Sequence, residues 1–192
     1  MRAPDGEDEM AEEIVRLATR VAYENRWMRV REDAIRYPDG SEGIYGVVEK
    51  TDFVVVAPVW PDGTVHLVEQ YRYPVGQRSL EFPQGAWEGA TEADPETVAR
   101  GELREETGLV AGRLTHAGHL FQATGYSRQA YHVYLAEDLS PGETALEHEE
   151  QGLVAHRMPL KAFLALVRDG TVKDAATVAA LSLLHLKGLI RP

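Results

Sequence analysis

The sequence predicts an α/β fold in which a mixed sheet is sandwiched between helices. Three observations predict it. Strand-like runs and helical segments are mixed along the chain, several strands are joined by hairpin-type turns, and the regular βαβ alternation of a doubly wound fold is missing. The 192 residues suit one domain plus a short extension. Hydrophobic residues make up 44% of the chain, enough for a core. No apolar run approaches the roughly 20 residues of a membrane span.

The elements follow in order. Residues 8–22 place Met10, Ile14, Leu17, Ala18 and Val21 at helical spacing, which predicts an amphipathic N-terminal helix. "WMRVREDAIRY" and "EGIYGVVEK" read as strands around the turn "PDGSEG". "FVVVAPVW" reads as a buried strand, and "PDG" at 61–63 turns it into "TVHLVEQYRY" as a hairpin. A Gly-rich loop carrying Trp87 leads to "DPETVARGELREETGL". There Asp94 suits an N-cap, Pro95 the first helical position and Gly108 the residue after the helix. Two strands follow around "THAGHLFQ" and "QAYHVYLAED", then the acidic loop "LSPGETALEHEEQG" and the strand "LVAHRM". Two helices close the chain, "LKAFLALVRDG" and "DAATVAALSLLHLKG", the second capped by Asp174.

Composition narrows the function. The net charge of −11 makes a poor binder of nucleic-acid backbone. Such a chain handles phosphates when divalent cations stand between them and its carboxylates. With no cysteine there is no disulfide, thiolate ligand or thiol nucleophile. The acidic N-terminus has no apolar signal-type segment. The expectation is a cytoplasmic protein without membrane or nucleic-acid partners.

The stretch "GELREETGL", residues 101–109, poses the central question. At about 100° per residue, Glu102, Glu105 and Glu106 share one side of a helix and repel one another. Three convergent carboxylates offer hard oxygen ligands to Mg²⁺ or Mn²⁺. The same side chains would also make an ordinary solvated acidic face. The Gly-rich loop before the helix and the apolar anchors Leu103 and Leu109 favour the metal site.

"GAWEGATEADPETVARGELREETGL" resembles the Nudix box, G-x5-E-x7-R-E-U-x-E-E-x-G-U, where U is bulky and apolar. Glu102, Leu103, Glu105, Glu106, Gly108 and Leu109 match its end. The first half departs. Gly101 stands at the arginine position, with the loop two residues longer than the pattern; alternatively, Glu92 and Arg100 keep the E-x7-R spacing and Gly101 is inserted. Glycine inside a helix costs about 1 kcal/mol relative to alanine, and a close packing contact at Gly101 would account for it. "VEQYRYPVG…LEFPQG" is similar to the segment preceding the box in ADP-ribose pyrophosphatase-like members, and "DAATVAALSLL" to their C-terminal helix.

The resemblance implies a Nudix-type α/β/α sandwich with a mixed central sheet and an N-terminal antiparallel sheet that helps build a homodimer. The expected division is residues 1–23 as an acidic helical extension, 24–49 as the N-terminal strands and 50–187 as the Nudix domain. It implies Mg²⁺-dependent hydrolysis (Mn²⁺ as a substitute) of the pyrophosphate bond of ADP-ribose or a related nucleoside diphosphate sugar, a small-molecule nucleotide substrate. A dinucleoside polyphosphate hydrolase and a non-catalytic nucleotide sensor are the alternatives. By family position Glu102 and Glu106 are metal ligands, Glu105 is a third ligand or orients water, and the Gln84 carbonyl is a main-chain ligand that Gly85 lets approach. A loop glutamate serves as base, Glu150 ahead of Glu149. Arg72 either pairs with a phosphate or makes a strand-end ion pair. Glu81 either holds a metal or orients the loop. Trp27 and Tyr45 are candidates to stack on a base, or core residues. Trp87 is a candidate to cover the substrate. Ala123, Thr124 and Gly125 stand where ADP-ribose hydrolases often carry a proline.

Overall fold

The computed structural model describes residues 13–87, 93–146 and 151–191, in two compact units. The first unit comprises the chain up to Lys50 together with Ala123–Gln129. Its framework is a three-stranded antiparallel sheet of β1 (Val15–Glu24), β2 (Arg29–Arg36) and β3 (Glu42–Glu49), in that order. The segment 123–129 joins β3: Val48 N–H donates to the Tyr126 carbonyl at 2.7 Å, and the Tyr45 hydroxyl donates to the Gly125 carbonyl at 2.9 Å.

The predicted N-terminal helix is corrected here. Residues 15–24 form a strand, and the rest of that segment up to residue 12 lies outside the described residues. The apolar residues at helical spacing do not form one face of that strand. Register shifts between Arg16 and Ala18 and between Val21 and Tyr23 each insert a residue in β1. Val15, Ala18 and Tyr23 therefore share a face, whereas Val21 points to the other and Leu17 is the extra residue of the first bulge.

The second unit, Thr51–Gln122 with Ala130–Pro192, holds two sheets. One has the order β7 (Gln84–Gly85), β4 (Phe53–Pro58), β9 (Ala130–Pro141), β8 (Leu109–Phe121), with β4 and β9 parallel and the other pairs antiparallel. The other is antiparallel in the order β10 (Val154–Pro159), β5 (Thr64–Arg72), β6 (Gln77–Glu81). The expected β4–β5 hairpin is therefore only a turn. Gly63, at φ +78°, donates to the Trp60 carbonyl, and one bridge joins Val59 and Val65 before the strands part into different sheets. Pro58 has no N–H to continue a ladder there.

β4 is buried on both faces, which explains its unbroken apolar run. Val55 and Ala57 enter a core with Leu67, Phe82, Phe163 and Leu184. Val54 and Val56 enter a smaller one with Val98, Ala99 and Leu103 of α1 (Pro95–Thr107). Two further helices, α2 (Leu160–Arg168) and α3 (Ala175–Leu186), supply Phe163 and Leu184 to the first core. The helices thus lie on both faces of the mixed sheet, the sandwich the sequence predicts.

Candidate active site

The ends of α1 match their sequence signals. The Asp94 side chain accepts from Thr97 N–H at 3.1 Å, Pro95 opens the helix, and Gly108 closes it at φ +67°, donating to the Arg104 carbonyl at 2.8 Å. These caps fix the ends of the helix, and Val98, Ala99 and Leu103 packed against β4 fix its rotation against the sheet. Glu102 and Glu106, one turn apart, both point inward and retain only 6% and 2% of their exposure. Burying a carboxylate costs several kcal/mol unless charge or hydrogen bonds compensate it, so this pair is not a solvated acidic face.

The short strand β7 lies opposite. Gln84 N–H donates to Oε2 of Glu106 at 3.0 Å. Gly85 backs directly onto Glu102: a Cβ at position 85 would overlap the carboxylate, 2.6 Å from Cδ and 2.8 Å from Oε1. Any other residue at 85 would displace that carboxylate. Glu81, also buried, accepts from Arg72 Nε at 3.0 Å and Nη2 at 2.5 Å and from Gln84 Nε2 at 2.6 Å. Gln84 Nε2 also reaches Oδ2 of Asp174 at 3.3 Å. Burial by itself would depress the Arg72 guanidinium, but its hydrogen bonds to Glu81 and the negative charges of Glu81, Glu106 and Asp174 raise its pKa above the ordinary arginine value. Arg72 makes a strand-end ion pair with Glu81, one of the two roles the sequence allowed.

The structure brings together Glu102, Glu106, Gln84, Gly85, Glu81 and Arg72. Glu105 stands to one side, half-buried, its carboxylate 3.6 Å from Arg104 Nη2. Trp87 lies on another side of α1: a Cβ on Gly101 would overlap its ring, 3.0 Å from Cε2. That is the close packing contact the glycine called for. The same ring, with Thr97, Arg100 and Arg104 of α1 and Val110 and Ala111 of β8, lines a cavity of about 300 Å³. Arg100 pairs with Glu96 at 2.7 Å and donates to the Ala111 carbonyl. Trp27 and Tyr45 belong to the first unit, Trp27 lying under the Arg26 guanidinium at 4.2 Å. Glu92, Glu149 and Glu150 lie outside the described residues.

Three histidines escaped sequence reasoning. Gly85, Val54, His132 and His119 form one row across β7, β4, β9 and β8. His116 pairs with Tyr134 in the neighbouring row of the same face, because a register shift between His116 and Gly118 turns the spacing of three into a shared face. His116 Nε2 lies 3.1 Å from His132 Nδ1. The H-x2-H spacing in a strand was the one available hint, and only a bulge makes it meaningful.

The donor set fits a hard divalent cation. Among the described residues no three ligating side chains already converge on one point. Two buried carboxylates and the main chain beside Gly85 supply part of a shell. Mg²⁺ characteristically takes one or two carboxylates and completes its octahedron with water and substrate phosphate.

A sequence profile described as the NUDIX domain matches residues 49–181, and one described as the nucleoside diphosphate sugar hydrolase N-terminal domain matches residues 14–48. The chain belongs to the Nudix hydrolase family. It is 34% identical over 154 residues to an ADP-ribose pyrophosphatase of Bacillus subtilis, covering 80% of this chain and 82% of that one. It is 32% identical over 157 residues to an ADP-ribose pyrophosphatase of Mycobacterium tuberculosis, covering 81% and 75%. A crystal structure of an ADP compounds hydrolase superposes with a TM-score of 0.81 at 25% identity, over 96% of this chain and all of that one. Nudix hydrolases generally require divalent metal ions. No helix among the described residues is long and apolar enough to cross a membrane.

Proposed function

We propose that the chain hydrolyses the pyrophosphate bond of ADP-ribose or a related nucleoside diphosphate sugar, releasing a nucleoside monophosphate and a sugar phosphate. Mg²⁺ is the proposed cation, with Mn²⁺ as a substitute. The observation that carries this reading is the convergence of buried Glu102 and Glu106 on the main chain of Gln84 and Gly85. The relatives' activity on ADP-ribose points to the substrate class.

Glu102 and Glu106 hold the cation through hard oxygens, with the Gln84 carbonyl as a further ligand. When bound, the cation polarises the diphosphate and stabilises the charge that develops on it. Gly85 leaves the Glu102 carboxylate the room that a Cβ would take. Arg72 holds Glu81, and through Gln84 the pair steadies the segment facing α1. Glu105 orients the attacking water. Glu150, ahead of Glu149, is the proposed base on the strength of the resemblance. Trp27 and Tyr45, both of the first unit, are base-stacking candidates from the sequence alone.

The N-terminal sheet is proposed to pair with a second copy of this chain. Val15 and Tyr23 of β1 and Ile44 of β3 lie on one face of this sheet and are all exposed, Ile44 by 70%. So much apolar surface on one small sheet marks an interaction face.

Products from ADP-ribose, ADP-glucose, GDP-mannose, NADH and diadenosine polyphosphates, with and without Mg²⁺, test the assignment. Cation-dependent release of AMP and ribose 5-phosphate from ADP-ribose is expected. The likeness to an ADP compounds hydrolase favours a second reading, in which a different ADP-linked compound is preferred. Glu106→Gln should lower kcat by more than the roughly hundredfold that loss of an outer-shell contact costs, with the fold intact by circular dichroism. Unchanged turnover at saturating Mg²⁺ would sink the assignment. Cation binding without products from any of these compounds would instead identify a sensor.

A further inference from the structure

We infer that Asp174, the N-cap of α3, is a positioning residue for the cation-facing segment Glu81–Gly85; the inference rests on the proposal that this segment and α1 hold the cation. A helix cap needs one bond, and Asp174 makes it: Oδ2 accepts from Thr177 N–H at 2.8 Å. The same oxygen also receives Gln84 Nε2 at 3.3 Å. Thr177, three residues on and fully buried, accepts from Phe82 N–H through Oγ1 at 3.0 Å. The first turn of α3 therefore holds the segment at residues 82 and 84.

The segment needs such support. β6 ends at Glu81 and β7 is only Gln84–Gly85, so little strand ladder fixes the residues between. The Pro83 carbonyl accepts from Val56 N–H, and Pro83 itself has no N–H to offer. Gln84 is the joint. Its main-chain N–H holds Glu106, while its side-chain nitrogen is shared by Glu81 and Asp174. Two carboxylates on one amide nitrogen settle its orientation, because the flipped amide would turn an oxygen toward both. The Oε1 atom is buried with no hydrogen-bond partner among the described residues. The amide is thus turned toward the two carboxylates although this leaves its own oxygen unsatisfied. α3 reaches the opposite face of the sheet from α1, yet through Gln84 it fixes the geometry of Glu106.

The test separates capping from positioning. Serine is as good an N-cap as aspartate but too short to reach Gln84, and asparagine keeps both the cap and an acceptor oxygen. Binding of Mn²⁺ is followed by electron paramagnetic resonance, together with the Mg²⁺ concentration for half-maximal activity and the melting temperature. Asp174→Ser should weaken Mn²⁺ binding about tenfold or more, the range for residues that orient metal ligands, with the melting temperature held. Asp174→Asn should restore most of the affinity. Gln84→Met, which leaves the α3 cap untouched, should show the same loss as Asp174→Ser. Wild-type binding in both Asp174→Ser and Gln84→Met would overturn the inference while leaving the cation site standing. No Mn²⁺ binding by the wild-type protein would overturn both.

Discussion

Replacing Gly101 with alanine sets two effects of known size against each other. Position 101 is inside α1, where glycine is about 0.8–1 kcal/mol worse than alanine. Propensity alone therefore predicts a more stable protein. The structure predicts the reverse. A Cβ there would lie 3.0 Å from Trp87 Cε2 and closer still to Cζ2, so the indole or the helix must move. Forcing extra volume into a packed site costs about 1–3 kcal/mol. The net result is a loss of about 0–2 kcal/mol, or about 2–4 °C in melting temperature for each kcal/mol in a chain of this size. Thermal denaturation of Gly101→Ala, Trp87→Leu and the double variant resolves the two effects. Alanine should destabilise beside Trp87 and stabilise beside leucine, with a coupling energy of at least about 1 kcal/mol. If alanine raises the melting temperature equally in both backgrounds, the ring does not rest on the helix and the reasoning fails.

Arg72→Met should leave the buried Glu81 carboxylate without its cation and cost about 3 kcal/mol in urea denaturation, the low end for broken buried pairs because Arg72 is itself partly exposed; a loss under about 1 kcal/mol would show the pair to be dispensable. Stability should fall as pH drops below about 6.5. Burial, with the charge of Arg157, lowers the pKa of His66, and burial, with neighbouring His119 and His116, lowers that of His132. The unfolded chain thus gains protons at a pH where the folded one does not, and stability is lost from the unfolded value downward. His132→Gln should flatten the profile between about pH 7 and 5, and parallel profiles for variant and wild type would refute this origin. Ile44→Lys should shift the proposed dimer toward monomer in sedimentation analysis, and an unshifted dimer would place the interface elsewhere.

What the sequence made legible depended on how local the signal was. The ends of α1 were readable because Asp94, Pro95 and Gly108 act on their own helix. The inward pair Glu102 and Glu106 was readable from helical spacing and the box. β1 was misread because Ile14, Leu17, Ala18 and Val21 match a helical period in sequence, while the pairing that makes the segment a strand comes from β2. The β4–β5 hairpin was misread because Pro-Asp-Gly fixes a turn but not which sheet each arm joins. The contacts of Arg72 and Trp87 had to wait for the fold, since each involves a residue brought near only by folding: Glu81 for one, Gly101 for the other. Asp174 announced itself as a cap and hid its second bond, to a residue 90 positions away.

The two cores on either side of β4 give the molecule an uneven way of failing. α1, which carries Glu102 and Glu106, is anchored by the smaller cluster around Val98, Ala99 and Leu103. α2, α3 and the β5 strand share the larger one. Damage confined to the smaller side can loosen the helix while the bulk of the second unit stays folded. Variants of that kind would express well, stay in the soluble fraction and pass a screen for yield, yet be catalytically dead. Sorting inherited or engineered substitutions in this protein by abundance alone would therefore miss the lesions that matter most to its chemistry.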